Sequence, residues 1–68
     1  MEVSKMLDKA YHGKTAKELV DSPVSALNGV SEGDEKLLKE AFNVKTIGDL
    51  ADLKFVIWAQ TIANLAKL

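Results

Sequence analysis

The chain has no cysteine, no arginine, one proline and one histidine in 68 residues, and each shortage closes off a class of function. Without cysteine there is neither a disulfide nor a thiolate metal site to supplement a core, so the fold must stand on helix packing. With His12 as the only imidazole, paired soft or nitrogen ligands for a transition metal cannot be assembled from one chain. Ser4, Ser22, Ser25 and Ser31 share that single histidine, and three of them stand at expected helix starts, so a base-activated nucleophile lacks its parts. The carboxylates are spread over solvated faces, and so small a domain has little room for a pocket that would shift their pKa values. The expectation is a chain with no enzymatic activity, no cofactor and no metal. The missing arginine also removes the side chain best suited to bidentate phosphate and guanine contacts, which weakens the case for nucleic acid.

Long apolar runs are absent too. The longest, Phe55 to Ala59, is far short of the roughly 20 residues that cross a bilayer. The charged residues near the start, Glu2, Lys5, Asp8 and Lys9, do not form the basic stub and apolar stretch of a signal peptide. A cytoplasmic location is therefore expected, with no membrane partner. The last helix carries only Lys54 and Lys67, too little charge for firm attachment to anionic lipid. Nine lysines against ten acids give a net charge of -1, but the balance is uneven. Between Asp21 and Leu53, seven acids face three lysines, so any site in the middle of the chain is acidic. The acids around Asp34 lack the ligand alternation, central glycine and closing glutamate of a calcium loop, and read as a first helical turn suited to its own dipole.

What is present is helical punctuation. Val3, Met6, Leu7, Ala10 and Tyr11 fall at helical spacing, and Gly13 reads as a stop, predicting a first helix over Glu2 to Tyr11. His12 at its end would favour the negative pole of the dipole. Thr15 with Glu18 has the form of a capping box and predicts a short second helix, while Pro23 begins a turn through Leu27. Ser31 with Asp34 repeats the capping pattern before a helix from Glu32 to Phe42. Its stripe is Leu37, Leu38, Ala41 and Phe42, and Asn43 is its left-handed stop. Thr46 caps a short helix holding Ile47, Leu50 and Ala51, and a last helix runs from about Lys54. Its inward face is expected to be Phe55, Val56, Ala59, Ile62, Ala63 and Ala66. Lys14 to Asp21 and Lys45 to Asp52 share the pattern Lys-Thr-x-x-acid-Leu-small-Asp at an offset of 31, which suggests two pseudo-symmetric halves.

From Val24 to Ala41 the sequence VSALNGVSEGDEKLLKEA resembles a helix-hairpin-helix motif of the SAM-like all-α domains, and NVKTIGDLA resembles the segment that often follows it. Leu27, Gly29, Val30, Leu37 and Leu38 match the family pattern over a stretch of about residues 24 to 52. The resemblance implies a helical domain of the kind found in DNA repair enzymes, ligases and polymerase accessory regions. In members that bind DNA, backbone N–H groups at the hairpin face a phosphate. Here the phosphate-facing candidates are Gly29, Val30, Ser31 and Gly33, with Lys36 and Lys39 as the nearest cations. Ser31 replaces the second glycine and is placed to cap the N–H of Gly33 or Asp34, while Glu32, Asp34 and Glu35 stand where a phosphate would approach. Each such carboxylate opposes a phosphate by about 1 kcal/mol in water-like dielectric.

On the last helix Ile57 falls on the polar side and Trp58 at the border, which would expose apolar area of the kind that marks protein contact. The expected architecture is an all-α single domain, a compact bundle of four or five short helices. Leu19, Leu27, Val30, Leu37, Leu38, Phe42, Ile47, Leu50, Phe55, Ala59 and Ile62 are its expected interior. The expected function is non-catalytic protein binding, with self-association through Ile57 and Trp58 as one form of it. Sequence-independent binding to nucleic-acid backbone through the hairpin is the alternative.

Overall fold

The computed structural model describes residues 3–68, and among them every regular element is helical. Four α-helices follow one another: α1 (Ala16–Val20), α2 (Glu32–Phe42), α3 (Ile47–Asp52) and α4 (Lys54–Ala66). Three 3-10 turns, Ser4–Met6, Lys9–Tyr11 and Val24–Ala26, complete the set.

Local chemistry accounts for most of the boundaries. Each of α1, α2 and α3 starts in a complete capping box, made by Thr15 with Glu18, Ser31 with Asp34, and Thr46 with Asp49. In each box the hydroxyl accepts the N–H three residues on and the carboxylate accepts the N–H of the cap, so two otherwise unpaired donors are satisfied at each start. Asn43 ends α2 at φ 57°, where its N–H reaches the carbonyl of Lys39 and the next N–H, of Val44, reaches that of Leu38. The chain thereby turns sharply, and Val44 drops into the interior.

The single long helix expected over Glu2 to Tyr11 does not form across the described part of that span, Glu2 itself lying outside it. Two 3-10 turns replace it, broken at Leu7 with φ -119° and ψ 145°. The cause is tertiary. Leu7 forms an antiparallel bridge with Leu27, the Asp8 N–H donates to the Ala26 carbonyl at 2.8 Å, and the Asn28 N–H donates to the Met6 carbonyl at 2.6 Å. Asp8 then caps the next turn by accepting the Ala10 N–H. His12 folds back, its Nε2 donating to the carbonyls of Ser4 at 2.9 Å and Leu7 at 3.1 Å. Two carbonyl partners require the proton to sit on that nitrogen, which makes His12 a clasp on the broken segment.

The interior gathers around the turn at Val24–Ala26. Val24 and Ala26 are fully buried, with Val44 and Leu7 beside them in burial, and Ser22 is the one buried polar residue among those described. Ser22 is satisfied: its hydroxyl donates to the Glu18 carbonyl and its own carbonyl accepts the Ile47 N–H. The Val24 N–H donates to the Lys45 carbonyl, and Pro23 pairs with Thr46 in a second antiparallel bridge. None of the eleven residues expected inside is fully covered. Leu19, Leu27, Val30, Leu38, Ile47 and Leu50 are half-buried, whereas Leu37, Phe42, Phe55, Ala59 and Ile62 are exposed. Nor is the bundle compact, because the Cα radius of gyration is 13.0 Å where a domain of this length packs to about 11 Å.

Two glycines on helices should respond oppositely to alanine. A Cβ on Gly48 would meet Val20 Cγ1 at 2.7 Å and the Val20 carbonyl at 3.1 Å, so α3 could no longer lie against α1 at this distance. A Cβ on Gly33 meets nothing nearer than the Ser31 hydroxyl at 3.7 Å. Gly48→Ala is expected to destabilise by about 1–3 kcal/mol through overpacking, and Gly33→Ala to stabilise by up to about 1 kcal/mol through helix propensity. Thermal unfolding monitored by helicity measures both, and equal signs would contradict the packing described.

Acid should loosen the same joints. Glu18 is held below its ordinary value of 4.5 by the backbone and then the hydroxyl of Thr15. Glu35 lies below 4.5 through the hydroxyl and backbone of Ser25. Asp49 lies below 3.8 through the backbone N–H groups of Lys45 and Thr46. A lowered folded value means stability that is fully present above the unfolded value and is lost as pH falls through the folded one. The melting temperature should therefore hold steady from neutrality to about pH 5 and decline below it. A midpoint unchanged down to pH 3 would refute the role given to these carboxylates.

Candidate protein interface

The α4 sequence is spaced for one continuous apolar stripe. Phe55, Trp58, Ile62 and Leu65 recur at intervals of three, four and three residues, the spacing that aligns side chains along one edge of a helix for contact with another. In the structure this edge is bare. Phe55 is 50% exposed, Trp58 55%, Ile62 68% and Leu65 61%. Only Val56 on α4 is half-buried, and every residue from Ile57 to the end of the described chain is exposed. The face expected to turn inward is thus covered only at its start, at Val56 and in part at Phe55, and is exposed from Ala59 onward.

The sequence-derived pair Ile57 and Trp58 is split by this geometry. Successive residues on a helix lie about 100° apart, so Trp58 belongs with the stripe and Ile57, 44% exposed, lies off it. The stripe residues that periodicity had assigned to the core, Phe55 and Ile62, and the unassigned Leu65 are the members that reasoning from sequence missed. The heptad-like spacing was the signal available for them.

At its root the stripe joins a second apolar surface. The rings of Phe55 and Trp58 meet edge to face at 5.8 Å, and Phe55 meets Phe42 at the end of α2 at 6.0 Å. Aromatic pairs at such distances add about 0.5–1.5 kcal/mol beyond their burial, and the Phe42–Phe55 pair joins the start of α4 to the end of α2. The Lys54 ammonium lies 5.3 Å from the Phe55 ring and 5.6 Å from that of Trp58. From Phe42 an open groove of about 410 Å³ runs back along α2, lined by Val30, Asp34, Leu37, Leu38, Ala41 and Phe42. This is the stripe expected to face the core, and Leu37 within it is 63% exposed.

The two surfaces differ in charge. Residues 53–68 carry Lys54 and Lys67 and no acid, while α2 carries four acids against two lysines. Asp34 is the one charged residue lining the groove, and by the same 100° step Lys36, Lys39, Glu32, Glu35 and Glu40 lie on other sides of the helix.

The hairpin between Leu27 and Ser31 closes through a Val30 N–H to Leu27 carbonyl bond of 3.1 Å, with Gly29 at φ 99°. That angle favours glycine over any residue with a Cβ. The Ser31 hydroxyl accepts the Asp34 N–H at 3.1 Å, and the Ser31 N–H donates to the Asp34 carboxylate at 3.1 Å. Of the two amides that Ser31 was expected to cap, it takes that of Asp34. Glu35, expected to point to water, instead accepts the Ser25 N–H at 2.9 Å and ties α2 to the turn before it. Among the described residues no group of three or more histidine, cysteine, aspartate or glutamate side chains is placed to hold a metal ion, and no helix is long and apolar enough to cross a membrane. Comparison with protein-family models, with curated proteins and with solved structures finds no match for the chain.

Proposed function

We propose that the chain is a non-catalytic protein-interaction module whose contact surface is the Phe55, Trp58, Ile62 and Leu65 stripe together with the adjoining α2 groove. The observation that carries this reading is the uncovered α4. Folded domains place such stripes against other protein, and a contiguous apolar surface of this kind is a usual mark of a partner site. An aromatic cluster at its centre suits it further, since buried tryptophan and other aromatic anchors dominate binding energies. Within this reading residues 24–41 act as a helix-hairpin-helix scaffold. Its tight glycine turn and capped second helix support that assignment, and the complete capping boxes of both sequence repeats support pseudo-symmetric halves.

Nucleic acid is the weaker ligand for the hairpin. The Ser31 and Asp34 amides are taken up in their own capping box, Glu32 and Asp34 occupy the first turn of α2, and no arginine is available. A titration with single- and double-stranded oligonucleotides at low ionic strength should therefore show no binding. Salt-sensitive affinity that falls in Lys36→Gln and Lys39→Gln variants would reverse the preference.

The protein-binding proposal is tested directly by replacing Trp58 with a photoactivatable phenylalanine and irradiating the source cell. Protein adducts at position 58 that vanish on adding Ile62→Glu are expected. Irradiation that yields no protein adduct would remove the interface from α4.

A further inference from the structure

The chain exposes 5356 Å² of surface at a mass of 7.4 kDa, whereas a compact monomer of that mass exposes about 4,200 Å². The surplus of roughly 1,100 Å² exceeds the ~800 Å² that each partner contributes to a stable protein interface of standard size. The expanded radius of gyration says the same in length rather than area. Most of the large apolar side chains that make up this surplus sit on two surfaces, the α4 stripe and the α2 groove.

We infer that the occupant of each surface is the other surface on a second copy of this chain: α4 of one protomer lies in the α2 groove of its partner, and the partner's α4 returns the contact. This rests on the reading of α4 as an interaction surface and names what covers it.

Three features fit the two surfaces to each other. Their lengths agree, since α4 has 13 residues and α2 has 11, giving about 20 and 16 Å of helix at 1.5 Å per residue. Their charges are opposite where they would meet, with Lys54 beside the Phe55 and Trp58 rings of the stripe and Asp34 lining the groove. Opposed potentials of this kind fix partner choice and register. Their periods also correspond, because the stripe recurs at intervals of three and four residues and Asp34, Leu37, Leu38, Ala41 and Phe42 recur at the same intervals along α2.

Pairing α4 with α4 is the less favourable arrangement. It would set two lysine-only segments together and leave Leu37 and the groove in water. The reciprocal exchange covers both surfaces at once and closes with twofold symmetry, so association stops at two.

Sedimentation equilibrium of the full chain across micromolar to millimolar concentrations tests the inference. The expected mass is twice the 7.4 kDa of one chain. Ile62→Glu on the stripe and Leu37→Glu in the groove should each halve it with helicity retained, since both side chains are more than 60% exposed and contribute little to the interior. Ile57→Lys, off the stripe, should remain dimeric. A dimer that survives Leu37→Glu, or one lost with Ile57→Lys, would overturn the exchange in favour of a different face, and a monomeric wild type would overturn it altogether. The adducts at position 58 separate the two failures: a monomer crosslinked to a different protein retires only the second copy, whereas a monomer without adducts retires the interaction surface as well.

Discussion

The fold depends on a six-residue stretch, Ser22 to Leu27, whose backbone is bonded on both sides. One side receives the N-terminal segment through Ala26 and Leu27, and the other receives the linker between α2 and α3 through Ser22, Pro23 and Val24. Neither contact extends into a sheet. Each is a single bridge with two flanking hydrogen bonds, and what holds them in register is the side chains they enclose, Leu7, Val24, Ala26 and Val44. Burial of a valine or leucine is worth about 1.5–3 kcal/mol, so these few residues supply a large part of the marginal stability that a domain of this size has. The helices are arranged around this knot.

That arrangement makes the helix starts unusually important. With so thin an interior, α1 and α3, at five and six residues, are far too short to persist alone. Each is held by a capping box, and the two sit against each other where Gly48 leaves room for Val20. A cap contributes about 1 kcal/mol, which in a larger domain would be a detail and here is comparable with a core side chain. Glu35 extends the same principle from local to tertiary structure, since its carboxylate takes the free N–H of Ser25 in a neighbouring turn.

The features legible in the sequence are those decided within four or five residues. Thr15, Ser31 and Thr46 with their acidic partners marked three helix starts, and Asn43 marked the stop of α2, because capping is chemistry between near neighbours. The first segment was misjudged for the opposite reason. Val3, Met6, Leu7, Ala10 and Tyr11 have helical spacing, but Leu7 and Asp8 bond to Leu27 and Ala26, and partners about twenty residues away leave no trace in a local pattern. The interior was misjudged in a more instructive way. Periodicity identified the apolar stripe of α2 and, on α4, placed only Phe55 and Ile62 of the exposed stripe on its expected face, yet it carries no information on whether the cover for a face comes from the same chain. Val24, Ala26 and Val44 sit in turns and loops without a period of their own, so the pattern that drew attention to α4 passed over the residues that are in fact enclosed.

The thin knot and the bare helix are two aspects of one division of apolar residues. A chain of 68 residues has enough of them for one well-covered interior, and this one encloses four among the described residues while leaving Leu37, Phe42, Phe55, Trp58, Ile62 and Leu65 about half or more in water. Had evolution favoured the isolated chain, folding α4 back over α2 would have enclosed several of these at once. Instead Phe55 at the start of α4 meets Phe42 at the end of α2, and Leu53, extended at φ -66° and ψ 118°, is the single residue between α3 and α4. Any partner that covers the exposed helix adds its binding free energy to folding by mass action. On the proposed reading of α4 as a contact surface, stability and association would be one equilibrium observed at different concentrations.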